Sequence, residues 1–254
     1  MKSIQEIKLM KSRQKIVMLT AYDFPTAKLM DEIVDIILVG DSLGMVVMGY
    51  ENTTKVTMDD MLRATGAAAR GAKNTLIVGD MPIGTYDSEK DALKNANSFL
   101  KAGAHAVKIE NKPEIAEFLA KNKIEVMGHV GLTPQTITNF KVQGKDAESA
   151  RKIIDEAVAL EKAGCFSIVL ECIPSKLAEA ITKKISIPAI GIGAGIHCDG
   201  QVLVTNDILG LYGDFKPKFL KRYAEIGQEM KKAFEAYAKD VKEEKFPDEE
   251  HSFH

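Results

Sequence analysis

Tryptophan is absent from this chain, and aromatic residues of all kinds make up only 6% of it. Proteins that bind single-stranded nucleic acid stack the bases on aromatic rings, and those that bind the phosphate backbone carry a basic surface. The formal net charge of the chain is −2. The composition therefore supplies neither feature, and we expect no nucleic-acid partner.

Long apolar segments are also lacking. No stretch approaches the roughly 18 apolar residues of a membrane span, and the basic segment 1–16 has neither the apolar core nor the small-residue cleavage site of a secretory signal. Cysteine occurs three times, at Cys165, Cys172 and Cys198, without CxxC or zinc-type spacing. Such usage is typical of reduced thiols. We expect a cytoplasmic protein with no membrane partner.

Four short apolar runs each end on a carboxylate. They are residues 36–41, 76–80, 106–110 and 167–171, which end at Asp41, Asp80, Glu110 and Glu171. Runs rich in Ile and Val with little polar alternation are typical of buried parallel strands. Because ligands of α/β proteins bind beyond the carboxyl ends of such strands, we expect the four acids to gather at a substrate site. Oxygen ligands of this kind suit a hard cation such as Mg²⁺.

Four further strand-like segments complete the pattern, at residues 16–21, 125–131, 188–195 and 202–206. Helical segments alternate with the strands, and some begin with a capping hydroxyl followed by an acid three residues on, as at Thr57 and Ser88. Eight βα units in about 250 residues predict one TIM (β/α)8 barrel over residues 1–254, with a C-terminal helix and tail. A doubly wound open sheet is the alternative. Its glycine motif at residues 191–195 is spaced GxGxG, however, and lies late in the chain.

Two connections and the C-terminal segment stand apart from this pattern. Residues 42–56 and 132–147 are long enough to form lids or binding loops. After Pro217 the sequence predicts one helix, either the last barrel helix or an oligomer contact, and we expect residues 246–254 to be a frayed end. The apolar stripe of that helix consists of Tyr223, Ile226, Met230, Phe234, Tyr237 and Val241.

Alternation along the strands adds a lysine to the acids. Lys108 and Glu110 are two residues apart and so point the same way, as do Val39 and Asp41. The lysine could form a Schiff base or act as a fixed charge, and the nearby Glu110 favours the charged form. A single strand-end acid is more often a helix cap or a surface ion pair, but four together favour a ligand site. His129 ends a strand and either contacts a ligand or packs in the core.

A series of motifs covers nearly the whole chain in order. They are TAYD, ILVGDSLGM, VTMDDM, GAHAVKIE, GHVGLTPQ, KVQG, LECIP, IPAIGIGAG, DGQVLV and EEHSFH. The chain thereby resembles the ketopantoate hydroxymethyltransferase family. The resemblance implies a barrel of the phosphoenolpyruvate/pyruvate superfamily that uses Mg²⁺ and 5,10-methylenetetrahydrofolate to convert 3-methyl-2-oxobutanoate through a magnesium-stabilised enolate, toward pantothenate. It also implies a homo-oligomer.

The resemblance assigns roles to individual residues. It implies that Asp41, Asp80 and Glu110 bind the metal, that Asp41, Ser42, Asp80 and Lys108 contact the oxo acid, and that Glu171 is the catalytic base. The chain departs from the family pattern in two places, since it lacks a Gly-Gly pair between TPQ and KVQG and has Asn111-Lys112 where glycines usually follow KIE. The alternatives are another magnesium-dependent lyase or mutase of the superfamily acting on a 2-oxo acid, and a barrel that has lost catalysis. A broken acid set would mark the latter, and here every position is filled.

Overall fold

The structure is a computed structural model that describes residues 2–136, 141–213 and 217–253. The chain divides into two compact units, Met1–Val204 and Thr205–His254. The prediction of one domain over residues 1–254 stays a prediction. Within the described ranges, no helix combines the length and the apolar character needed to cross a membrane.

The first unit is a closed barrel of eight parallel strands, which confirms the predicted TIM barrel and excludes the open sheet. Each strand pairs with its sequence neighbours, and β8 pairs with β1. The strands are β1 (Ile16–Thr20), β2 (Ile36–Val39), β3 (Leu76–Asp80), β4 (Ala106–Lys108), β5 (Val126–Gly131), β6 (Ser167–Glu171), β7 (Ala189–Ile192) and β8 (Gly200–Leu203).

Helices connect the strands of this unit. They are α1 (Ile4–Leu9), α2 (Phe24–Met30), α3 (Leu43–Val46), α4 (Met58–Gly71), α5 (Glu89–Ala102), α6 (Pro113–Lys121), α7 (Ala147–Lys162) and α8 (Ser175–Lys184). The predicted caps are confirmed, because the Thr57 side chain accepts from the Asp60 N–H and that of Ser88 from the Asp91 N–H. The connection 42–56 is not an irregular loop, since it contains α3 and a 3-10 turn at Thr53–Lys55.

Alternate strand residues enter two separate apolar clusters. Met18, Ile36 and Val78 belong to the cluster inside the barrel, whereas Ile37 and Ile77 pack with the helices outside it. Ile7 in α1 and Met10 just after it join the inner cluster.

A polar tie holds the end of α1 at the amino-terminal ends of the strands. Lys11 Nζ lies 2.8 Å from Asp199 Oδ2 and 2.6 Å from the Thr182 carbonyl oxygen. Asp199 directly precedes β8 and also accepts from the Ala189 N–H at 2.9 Å. Apolar side chains and α1 therefore occupy the amino-terminal end of the barrel, and the polar strand ends lie opposite.

The second unit contains α9 (Thr205–Ile208) and α10 (Ile226–Lys242). The predicted helix therefore begins later than Pro217, and the assignment of Tyr223 to it is wrong. The physical reason is that the Tyr223 N–H donates to the Ile208 carbonyl oxygen at 2.8 Å, away from the helical hydrogen-bond pattern. Residues 246–254 are expected to fray, yet Phe246 packs on Tyr237 with ring centroids 5.7 Å apart, and Glu249–His251 forms a 3-10 turn.

Candidate active site

The centre of the site is an ion pair between neighbouring strands. Asp80 ends β3 and Lys108 ends β4, and the two residues are register partners. Lys108 Nζ donates to both carboxylate oxygens of Asp80 at 2.8 Å. Glu110 follows two residues after Lys108 and is buried as well. The structure thus brings these three predicted site residues together at the carboxyl end of the barrel.

Asp41 also belongs to this cluster, but strand alternation from Val39, from which we predicted its direction, does not explain its position. Val39 packs in the outer cluster, so the strand alternation argued from it would direct Asp41 away from the barrel interior. That argument is wrong, because β2 ends at Val39 and Gly40 lies between the strand and Asp41. Asp41 is 7% exposed and its Oδ2 accepts from Gln135 Nε2 at 3.0 Å.

Negative charge is in excess among these buried groups. Burial, followed by the charge of Asp80, raises the pKa of Asp41 to about 8. Burial also raises the pKa of Asp80 despite its lysine partner. Burial acts to lower the pKa of Lys108, but the surrounding carboxylates outweigh it and hold the pKa above its ordinary value. Lys108 is therefore a fixed ammonium, in agreement with the predicted charge role.

His129 lies between two carboxylates from different strands. Its Nδ1 is 3.4 Å from Glu110 Oε1 and its Nε2 is 3.2 Å from Glu171 Oε2. Burial lowers the pKa of His129, yet the two carboxylates together raise it to about 9. Glu171 is more open than the other acids, with 18% of its side chain exposed. His129 thus connects the acid that ends β6 to the cluster around Lys108.

The buried carboxylates would suit a divalent cation that needs few protein ligands. Among the residues that the structure describes, no three acidic, histidine or cysteine side chains converge on one cation position. Mg²⁺ commonly takes one or two protein carboxylates and keeps several waters, so it does not need such a triad. The supporting observation is that Asp41 is a buried carboxylate outside every ion pair found within the described residues. A cation would supply the missing charge.

Several contacts of the site were not predicted from the sequence. Ser42, a predicted oxo-acid contact, is half-buried and its Oγ lies 2.8 Å from the Tyr22 hydroxyl. Gln135 and Tyr86 are buried beside Asp41 and Glu110. Gln135 ends the GHVGLTPQ motif, so the motif marks its segment. The part of that connection at residues 137–140, where the chain lacks the usual glycine pair, lies outside the described residues.

Cys172 follows Glu171 directly and adopts a left-handed backbone conformation with φ of 48°. Burial, with a smaller effect of Glu171, raises the pKa of its thiol to about 12. The thiol is therefore protonated at neutral pH.

A family model described as ketopantoate hydroxymethyltransferase matches residues 1–249 of the chain. The chain belongs to this family. The assignment agrees with curated relatives named 3-methyl-2-oxobutanoate hydroxymethyltransferase. The protein from Clostridium botulinum (strain Langeland / NCTC 10281 / Type F) is 54% identical over 99% of this chain and 94% of its own length. The Enterococcus faecalis protein is 54% identical over 94% of this chain and 90% of its own. The family resemblance expected from the motifs is confirmed.

Solved structures with the same fold are more distant from this ketopantoate hydroxymethyltransferase family member. A phosphonopyruvate hydrolase superposes with a TM-score of 0.65 at 12% identity and covers 100% of this chain and 92% of its own. A 2,3-dimethylmalate lyase, titled as a member of the PEP mutase/isocitrate lyase superfamily, gives 0.64 at 13% identity, with coverages of 99% and 92%. Identities this low support the fold alone, and they agree with the predicted (β/α)8 barrel.

Proposed function

We propose that the chain transfers a one-carbon unit from 5,10-methylenetetrahydrofolate to 3-methyl-2-oxobutanoate, with release of 2-dehydropantoate for pantothenate biosynthesis. Carbon 3 of the oxo acid loses a proton and bonds to the folate methylene carbon. The methylene carbon loses its two bonds to the folate nitrogens. It gains the bond to carbon 3 and a bond to a hydroxyl that water supplies, and tetrahydrofolate leaves. The reaction needs no oxidant or reductant.

The observation that carries this proposal is the buried arrangement of Lys108 among carboxylates at the mouth of the barrel, with Glu171 on its edge. A 2-oxo acid brings a carboxylate into that mouth, and the Lys108 ammonium offsets its charge. Glu171 is the partly exposed acid, so its carboxylate is accessible to a bound substrate. The family model and the curated relatives support the same substrate.

Each residue of the site has its own role in this proposal. Asp41, Asp80 and Glu110 would hold Mg²⁺, which when bound supplies Lewis-acid chemistry at the keto group. Ser42 contacts the oxo acid, and Glu171 accepts the proton from carbon 3 at its carboxylate oxygen. His129 Nε2 lies 3.2 Å from one oxygen of that carboxylate.

Proton exchange tests the first half of this reaction without folate. Wild-type protein with Mg²⁺ in heavy water should exchange the carbon-3 proton of 3-methyl-2-oxobutanoate, which nuclear magnetic resonance follows directly. Addition of 5,10-methylenetetrahydrofolate should then yield 2-dehydropantoate. Exchange without product in the complete mixture would indicate another enzyme acting on 2-oxo acids, and absence of exchange would contradict the proposal.

The cellular setting belongs to the same proposal. We propose that the enzyme works in the cytoplasm as a homo-oligomer on its two small-molecule substrates. The support for assembly is the series of apolar side chains exposed along α10.

A further inference from the structure

One neutral side chain is inserted among the acids of the site. Gln135 follows β5 and is 3% exposed. Its Nε2 donates to Asp41 Oδ2 and to the Met81 carbonyl oxygen, each at 3.0 Å. Its main-chain N–H donates to Glu110 Oε2 at 3.2 Å. A single residue therefore binds two of the expected metal carboxylates, which lie two residues beyond the ends of β2 and β4.

Tyr86 determines which way the Gln135 amide faces. The Tyr86 hydroxyl donates to Gln135 Oε1 at 2.5 Å and accepts from the Glu110 N–H at 3.3 Å. Both amide protons of Gln135 already meet acceptors, so its carbonyl oxygen has to face the hydroxyl. The hydrogen bonds run in a closed circuit from Glu110 through Tyr86 and Gln135 back to Glu110, with a branch to Asp41.

A charged pair covers the ring of Tyr86 on its outer side. Lys112 Nζ lies 5.0 Å from the ring centroid, within the range of a cation–π contact. Lys112 also forms an ion pair with Asp87.

We propose that Gln135 and Tyr86 are positioning residues for the cation. The circuit engages Asp41 Oδ2 and Glu110 Oε2 and leaves Asp41 Oδ1 for the metal, while Glu110 Oε1 faces His129 Nδ1 at 3.4 Å. A neutral amide suits this position, because a lysine would compete with the cation for the carboxylates and a fourth carboxylate would add repulsion. The inference rests on the proposed function, since that function supplies the Mg²⁺.

Calorimetric titration of Mg²⁺ into the metal-free protein, without oxo acid, tests the inference. Gln135→Met removes the amide at nearly constant volume, and Tyr86→Phe removes one hydroxyl. Each should weaken Mg²⁺ binding by about tenfold to a hundredfold, the usual effect of groups that orient metal ligands. Gln201→Met is the matched control, because its amide bonds the Gly195 carbonyl oxygen outside the site and its loss should leave the affinity unchanged.

The double variant separates positioning from mere packing. If the two residues act through one circuit, Gln135→Met with Tyr86→Phe should bind Mg²⁺ about as weakly as Gln135→Met alone. Circular dichroism checks that each variant folds. If Gln135→Met does not fold, the Mg²⁺ titration of Tyr86→Phe alone tests the inference. If the folded variants bind Mg²⁺ as tightly as the wild type, the inference is wrong but the proposed function still stands. Absence of Mg²⁺ binding by the wild type would overturn the metal site of the proposed function together with it.

Discussion

Glu171 is the residue whose substitution most directly tests the chemistry. Glu171→Gln keeps the shape of the side chain and removes its basicity. We expect exchange of the carbon-3 proton to fall by about a hundredfold or more, which is the usual contribution of a positioned base. Mg²⁺ and oxo acid should still bind, because Glu171 lies outside the Asp80–Lys108 pair. Glu125→Gln, at an exposed position, is the control. Near-normal exchange with loss of binding would make Glu171 a ligand contact.

The metal carboxylates give a second prediction. Asp41→Asn and Asp80→Asn each remove a negative charge from the buried cluster, so Mg²⁺ should bind more weakly to both in calorimetry. Asp80→Asn also deprives Lys108 of its closest partner, and should therefore lower the melting temperature more than Asp41→Asn. Unchanged affinity in both variants would reject the site.

His105 gives a pH dependence of stability that is separate from the site. The Ile77 N–H donates to its Nδ1 at 3.0 Å, so the folded protein holds this ring neutral. Burial lowers the pKa of His105. The unfolded chain takes up this proton near pH 6.5, whereas the folded protein does so only at lower pH. The stabilisation is thus fully present above that pH and is lost as the pH falls.

The measurement compares melting temperatures from about pH 7.5 to about pH 5.5. Wild-type protein should lose more thermal stability on acidification than His105→Gln, which has no titrating ring. Equal slopes for wild type and His105→Gln would contradict the assignment.

At the scale of elements, the contact between the ends of β5 and β6 depends on a glycine. Gly131 has φ of 99°, and a Cβ there would lie 2.3 Å from the Glu171 carbonyl oxygen. Gly131→Ala should cost about 1–3 kcal/mol of backbone strain and displace Glu171. We expect a lower melting temperature together with slower proton exchange. Gly213→Ala, where a Cβ would meet open space, should change neither. Normal exchange in Gly131→Ala would show that Glu171 tolerates the shift.

The strands were the most predictable elements of the chain. Buried parallel strands leave continuous apolar runs, so β3 and β6 were located to the residue and others to within a few residues. The acids at the strand ends follow from the same pattern. Lys108 is the last residue of β4, so the strand pattern alone places it at the same end of the barrel as the acids.

The rest of the site depends on the chain beyond the strand ends. Alternation fails at Asp41 because β2 stops at Val39. Gln135 joins the acids through hydrogen bonds to Asp41 and Glu110, which are distant in sequence, and no short-range pattern encodes those contacts. The apolar stripe likewise predicts too early a start for α10, because the hydrogen bond from the Tyr223 N–H to the Ile208 carbonyl oxygen is non-local.

At the scale of the whole molecule, α10 predicts assembly. None of its residues is buried, and Phe234 and Tyr237 are 64% and 61% exposed. Contiguous exposed apolar side chains of this kind mark contact surfaces. Light scattering at micromolar concentration should give a mass above that of one chain, and Phe234→Glu should lower it. Lys239→Glu, an exposed charged residue of the same helix, should not. A monomeric wild type would contradict the prediction.

The tie between Lys11 and Asp199 has a practical consequence for engineering. It holds α1 against the amino-terminal end of the barrel, whereas the reacting groups lie at the carboxyl end. In (β/α)8 barrels, residues at the amino-terminal end of the strands contribute mainly to stability, and residues at the carboxyl end contribute to catalysis. Substitutions around Ile7 and Met10 should therefore change thermal stability while the residues of the active site stay unaltered. The two properties can be selected in separate libraries and then combined.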